Sequence, residues 1–149
     1  MTRRVDSLSN RTMQENKYAI FSECGQPQDK LQVMTGPVTE PQKGEVMVRM
    51  LAAPINPADV NFVQGVYGLK PVFPDSRAGL EGYGVVEESA APGLVSGDRV
   101  IMLRGIGSWS RFLTAPADSF LKVADEVDPF QAAMLKVNPL TALRMLEGF

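Results

Sequence analysis

The sequence predicts a mainly β domain, a small barrel or sandwich, that gives way to helices near its C-terminus. Short runs with strand character recur along the chain between Gly/Pro turns, which favours a barrel or sandwich over a parallel sheet. The pattern becomes helical after Asp128. The 149 residues suit one domain, or one large part of a bigger protein.

After a polar N-terminus, "YAIFS" from Tyr18 to Ser22 reads as a short strand. Gly25 to Pro27 mark a turn, and Leu31 to Met34 form a second strand. "PVTEPQKGE" is a turn region that leads into "EVMVRMLAAPIN", the strongest strand pattern, where Val46, Val48 and Met50 alternate with Met47, Arg49 and Leu51. Asn56-Pro57 ends that strand, and "PADVNFVQG" can wind one or two helical turns before Gly65. "GLKPVFPDSRAG" reads as loop. "GYGVVEESAA" is a strand centred on Val85 and Val86, and a Gly97-Asp98 turn precedes the strand Arg99 to Leu103. A glycine-rich loop, "GIGSWS", leads to a further strand, and Phe120 to Val123 is the last. Asp128 then suits a helix N-cap with Pro129 at the first helical position. Pro139 disfavours helical backbone at Asn138, so a break is expected there, with a second helix from Thr141 to Phe149. Leu140, Leu143 and Leu146 give that helix an apolar stripe.

Composition removes several function classes. A net charge of −2 with both signs interspersed gives no electrostatic case for nucleic acid or an anionic membrane. No apolar run approaches the roughly 18 residues that span a bilayer. The single cysteine, Cys24, allows no internal disulfide and reads as an inert thiol. The N-terminus lacks an apolar core, so it is not a secretory signal. Its Arg3, Arg4 and Arg11 among hydroxyl residues fit either a flexible polar tail or a transit peptide. The expected location is cytoplasmic, with mitochondrial as the alternative.

The chain has no histidine, so Ser-His-Asp, Cys-His and His-ligated metal sites are excluded, and one cysteine cannot build a thiolate zinc site. There is no phosphate-binding P-loop, and "GIGSWS" lacks the third glycine of a dinucleotide fingerprint. Tyr, Lys, Asp and Glu remain for acid–base work. Tyr67, at the end of the glycine-flanked stretch "INPADVNFVQGVYG", is the candidate that raises the question of a proton donor.

"INPADVNFVQGVYG", "GLEGYGVV", "SGDRVIML", "GIGSWSRF" and "KVNPLTALRML" occur in one order. With these five motifs in register over about residues 17–149, the chain resembles the medium-chain dehydrogenase/reductase superfamily. Within it, the chain is most similar to the zinc-independent quinone oxidoreductases and, more specifically, to the 2-enoyl thioester reductases of mitochondrial type. The resemblance implies a GroES-like, partly open β-barrel as catalytic domain over 17–127, a flexible polar tail at 1–16, and a helical segment at 128–149 leading toward a cofactor domain. In zinc-dependent cousins a cysteine precedes the Asp of the first motif and the second motif reads Gly-His-Glu. Here those positions hold Asn56-Pro57 and Leu80, so no zinc is expected.

The resemblance also implies roles. Tyr67 matches the tyrosine that donates a proton to the substrate α-carbon after hydride reaches the β-carbon. Asn138 matches an asparagine that contacts the nicotinamide cofactor, NADPH. Asn56 and Thr141 lie in motifs that line the nicotinamide pocket, and Trp109 sits in the loop near the thioester. A phenol ionises near pH ~10 in water, so it is a full donor at neutral pH. A positioned acid of this kind contributes on the order of 10²–10⁴-fold. Taken singly, the same residues have plainer readings. Tyr67 can be a loop aromatic, Asn138 a helix-break residue, Asn56 an Asx-turn, Trp109 a core residue, and Glu81 a structural carboxylate.

The Rossmann domain that follows in the intact family is absent from this sequence. Nicotinamide cofactors draw most of their affinity from pyrophosphate and ribose contacts on such a domain. The chain alone is therefore expected to be inactive, or nearly so, and not to bind NADPH tightly. The expected partner is a small-molecule enoyl thioester, quinone or enone. The alternative is a freestanding, non-catalytic GroES-like module for binding or interaction. Its apolar stripe at Leu140, Leu143 and Leu146 and the open cleft face of the barrel predict self-association. A homodimer is the expected solution state, and sizing chromatography with light scattering checks it; a clean monomer counts against it.

Overall fold

The computed structural model describes residues 15–148. Expectations for the N-terminal tail before Glu15, and for Phe149, lie outside the described residues. Among the described residues, eight strands form two antiparallel sheets, and the helices are short. The smaller sheet has the order β2-β1-β4, with β1 at Glu15–Phe21, β2 at Gln32–Pro37 and β4 at Ser76–Arg77. The larger has the order β7-β3-β5-β6-β8. Here β3 is Glu45–Ala52, β5 is Tyr83–Ser89, β6 is Arg99–Met102, β7 is Phe112–Pro116 and β8 is Phe120–Lys122. The sheets do not close into one continuous barrel, as expected of a partly open one.

The stretch before β7 joins them. Ala19 N–H donates to Trp109 C=O at 2.9 Å, and Arg111 N–H donates to Lys17 C=O at 2.8 Å. Buried Asn16 completes the seam: its amide nitrogen donates to Phe112 C=O at 2.8 Å, and its carbonyl accepts from Phe112 N–H at 2.9 Å. Ahead of the expected Tyr18, Glu15 to Lys17 already belong to β1, paired with Thr35 to Pro37 of β2. The segment that reads as loop after Gly68 contains the two-residue β4, paired antiparallel with the end of β1, and Arg77 stacks over the Tyr18 ring at 3.7 Å.

The alternation of β3 holds only in part. Val46 and Val48 are buried, but so is Met47, and register shifts interrupt the pairing with β5. A central strand with bulges is not a clean two-faced strip. Val46, Val48, Val86, Val100, Met102, Leu113 and Phe120 form the main core. A second core joins β1 to α2 (Pro57–Val63): the Phe62 ring meets the Phe21 ring edge-on at 5.5 Å, beside Val63, Ala78 and Leu80. A third lies where Ala132 and Ala133 of a short helix pack on Tyr83 and Ile101.

Past α1 (Pro27–Lys30) and α2, the C-terminal segment holds α3 (Pro129–Ala133) and α4 (Asn138–Glu147). Asp128 caps α3 as expected, its carboxylate accepting from the N–H groups of Phe130 and Gln131 at 3.0 Å. The helix break falls at Met134–Val137, before Asn138, so α4 starts three residues ahead of the expected Thr141. Pro139 is tolerated because it sits in the first turn, where no intrahelical N–H bond is lost. None of the α4 residues is buried, and Leu140, Leu143 and Leu146 are exposed.

Phe62 is fully buried between β1 and α2. Replacing it with Ala is expected to lower the unfolding free energy by about 3–5 kcal/mol. Equilibrium urea unfolding checks this, and a loss below about 1 kcal/mol would mean the second core does not hold α2 in place.

Candidate active site

Asn56 is the N-cap of α2, and a capping box surrounds it. Its side chain accepts from the helix backbone, while Asp59 Oδ2 accepts from Asn56 N–H at 2.7 Å. The other end of the Asn56 amide donates from Nδ2 to Glu81 Oε1 at 2.6 Å. Glu81 Oε2 accepts from Val137 N–H at 3.0 Å. Val137 C=O in turn accepts from Thr141 N–H at 3.0 Å and from Thr141 Oγ1 at 2.6 Å. Asn138 follows Val137 in the chain and is exposed. The buried carboxylate thus bonds directly to Asn56 and to Val137; Thr141 is tied to Val137, and Asn138 only follows Val137 in the chain.

A second carboxylate lies beside the first. Asp59 Oδ1 accepts from Leu80 N–H at 2.9 Å, and Lys136 Nζ donates to Leu80 C=O at 2.7 Å. Asp59 and Glu81 are 2% and 1% exposed, so both carboxylates lie in the interior. Burial pushes the Asp59 carboxyl above its ordinary range, against the N–H groups of Asn56 and Leu80 and the charge of Lys136. Burial likewise pulls the Lys136 ammonium below its ordinary range, against the charges of Glu81 and Asp59.

Trp109 is half-buried, and its indole N–H donates to Pro54 C=O at 3.0 Å. It lines a shallow cleft of about 220 Å³ with Met50 to Ala53, Ser108 and Ser110. The Ser108 hydroxyl is buried, with no hydrogen-bond partner among the described residues. Gly79 has a φ of +93°, and a Cβ there would lie 2.6 Å from Trp109 N. The glycine before Leu80 is therefore required by the close passage of the Trp109 backbone.

Tyr67 stands apart. It lies on the loop leaving α2, where its N–H donates to Asn61 C=O at 3.2 Å, and the side chain is 38% exposed. The phenol is thus outside the barrel core, and no hydrogen bond or ring contact joins it to the other four candidates among the described residues. Gly65, at φ +77°, starts this loop; a Cβ on it would lie 2.6 Å from Cys24 Sγ.

Glu81 was legible as a structural carboxylate, but not as the link between Asn56 and α4. Asp59 had a local signal, since Asn followed three residues later by an acid is a capping-box spacing. Lys136 had none, because its partner is a backbone carbonyl 56 residues away.

A family model described as the alcohol dehydrogenase GroES-like domain matches residues 42–125. The mitochondrial enoyl-[acyl-carrier-protein] reductase of Xenopus tropicalis is 38% identical over 133 residues, which are 87% of this chain and 38% of that protein. The enoyl thioester reductase Etr1p of Candida tropicalis, solved in complex with NADP and crotonyl-CoA, superposes with a TM-score of 0.84 at 28% identity, over 92% of this chain and 44% of that one. A candidate NADPH:quinone reductase of Bacillus thuringiensis has a TM-score of 0.78 at 36% identity, over 89% of this chain and 40% of that one. The chain therefore spans well under half the length of these relatives.

The Asp59→Asn substitution tests the buried cluster. An amide can accept only one of the two N–H groups that Asp59 serves, so a loss of about 1–3 kcal/mol is expected at neutral pH. A carboxyl raised by folding keeps its proton where the unfolded chain has lost it, so its contribution to stability falls as pH rises between the ordinary Asp range and the raised value. The stability gap between wild type and Asp59→Asn is therefore expected to widen as pH is lowered through that window. Urea unfolding at several pH values checks this, and a gap that narrows on acidification contradicts it.

Proposed function

The chain belongs to the alcohol dehydrogenase GroES-like domain family, and on that premise we propose that it is the N-terminal catalytic domain of an NADPH-dependent, zinc-independent reductase. The substrate is the C=C bond of a 2-enoyl thioester, or a quinone or enone. The relatives named as enoyl reductases, and the solved complex with NADP and crotonyl-CoA, support this reading. The observation that carries it is geometric: the Tyr67 side chain is partly exposed, while a buried carboxylate ties the first turn of α4 to the barrel.

The chain's own residues fit a nicotinamide in part. Asn138 and Thr141 lie on the exposed first turn of α4, where a ligand can reach them. Asn56 is mostly committed inward, yet its amide retains one N–H and one lone pair beyond the two bonds it makes. When bound, the cofactor would supply hydride to the substrate β-carbon. Tyr67 donates its phenolic proton to the α-carbon and regains one from water, so the double bond takes up one hydride and one proton. Trp109 and the cleft beside it bound the acyl or quinone head group. The zinc-free reading rests on Asn56-Pro57 and Leu80 at the metal-ligand positions of the zinc-dependent cousins. Domain limits follow the same reading, with the barrel running to 127 but entered at β1 from Glu15, inside the expected 1–16 tail, and a connecting helical segment over 128–149. Relatives named as mitochondrial favour that location over the cytoplasm.

The alternative is a non-catalytic GroES-like binding or interaction module. Turnover of crotonyl-CoA with NADPH, measured on the chain alone and with an added cofactor domain from a relative, separates the two. Turnover only in the mixture supports the reductase domain, and none in either supports the module. In an active mixture, Tyr67→Phe is expected to lower kcat by about 10²–10⁴-fold with cofactor affinity unchanged. Unchanged turnover ends the Tyr67 assignment.

A further inference from the structure

We propose that Glu81 is a positioning residue: its buried carboxylate fixes the start of α4, and with it Asn138 and Thr141, against the Asn56 loop. This deepens the reductase reading and rests on it for the roles of Asn138 and Thr141. The local sequence offers α4 no cap. Val137 stands at the N-cap position with no side-chain oxygen, and Asn138 makes no capping bond. The first N–H groups of a helix need partners, and an acid is favoured there by the helix dipole. Glu81 supplies the acid from 56 residues away, accepting from Val137 N–H at 3.0 Å.

The second oxygen explains why the residue is a glutamate and not an apolar filler. A carboxylate accepts only, and each of its oxygens here meets a donor from a different part of the fold: Asn56 Nδ2 at 2.6 Å on one side and Val137 N–H on the other. An amide at position 81 must turn an NH₂ toward one of those donors. A well-packed apolar group would leave both unpaired. A buried ionic group is a costly way to gain stability, and its better-attested use is to specify one arrangement. Here the arrangement is the placement of a helix that is otherwise wholly exposed on the barrel. Lys136, adjacent in sequence to Val137, sits on Leu80 C=O next to Glu81, so position and charge are set together.

The test is NMR on the chain itself. In wild type, scalar couplings through the hydrogen bonds are expected from the Glu81 carboxylate carbon to both Asn56 Nδ2 and Val137 N. Glu81→Gln is expected to speed exchange of the Val137 amide about tenfold while amides of β3 and β5 keep their protection. The double variant N56D/E81Q reverses the polarity of the side-chain pair. The amide nitrogen at 81 then donates to a carboxylate at 56, and its carbonyl serves Val137, so protection at Val137 is expected to return. Recovery in a charge-swapped pair is not what a merely space-filling role produces. Wild-type couplings to neither donor, unchanged Val137 exchange in E81Q, or no recovery in the double variant each overturns the proposal. If E81Q does not fold, the wild-type couplings decide. Titration with millimolar NADP⁺ reads the reductase assignment separately. With a cofactor domain from a relative added, shifts at Asn138 and Thr141 that are lost in E81Q support both ideas; no shifts in wild type in that mixture, with the couplings present, overturn the reductase assignment alone.

Discussion

Everything near the candidate site depends on how this fold keeps two carboxylates in its interior. Asp59 and Glu81 are almost fully buried, and a bare ion in that setting would be expelled or neutralised. The fold surrounds them with donors. Backbone N–H groups from Asn56, Leu80 and Val137 and the Asn56 amide all point at their oxygens. Lys136 brings a counter-charge but leans on a carbonyl, which leaves the carboxylate oxygens to the N–H groups. Each bond also costs the fold freedom, because each donor belongs to a separate segment. The helix α2, the loop before β5 and the turn before α4 cannot move independently while both carboxylates remain satisfied.

That coupling fixes the geometry at one edge of the barrel. The barrel itself rests on hydrophobic packing of β3, β5, β6 and β7, a general device that says nothing about chemistry. The polar cluster sits at its edge, where α2 and the last helices attach. The exposed Asn138 follows Val137 in the chain, and Tyr67 lies apart on the loop leaving α2. This separation is economical. The rigid buried groups hold position, and the exposed ones stay available to a ligand.

Much of this was legible in the sequence, for identifiable reasons. The strands of the larger sheet announce themselves because Val46, Val48, Val86 and Val100 supply β-branched runs between Gly/Pro turns. Asp128 and Pro129 mark the start of α3 by local chemistry alone. The two-residue β4 was hidden, since its pairing is with a distant strand edge and Ser76-Arg77 has no strand signature of its own. The start of α4 was misread because proline tolerance depends on how far into a helix the residue falls, which in turn depends on the long-range partner of Val137. For the site, the motifs pointed to Tyr67, Asn56, Asn138, Thr141 and Trp109 one at a time. Glu81 ties Asn56 to Val137 at the start of α4, and no local pattern encodes a bond that spans 56 residues.

The contact between Cys24 and Gly65 gives experimenters a handle. The chain's sole thiol is exposed, and its sulfur rests against the glycine that turns the backbone toward Tyr67. A dye or spin label attached there needs no engineered cysteine and reports from two residues before the phenol. Because the sulfur fills the space that a side chain at position 65 would need, a larger label is expected to displace the loop further. A graded series of alkylating reagents thus becomes a ruler for how much room the phenol's loop has to shift.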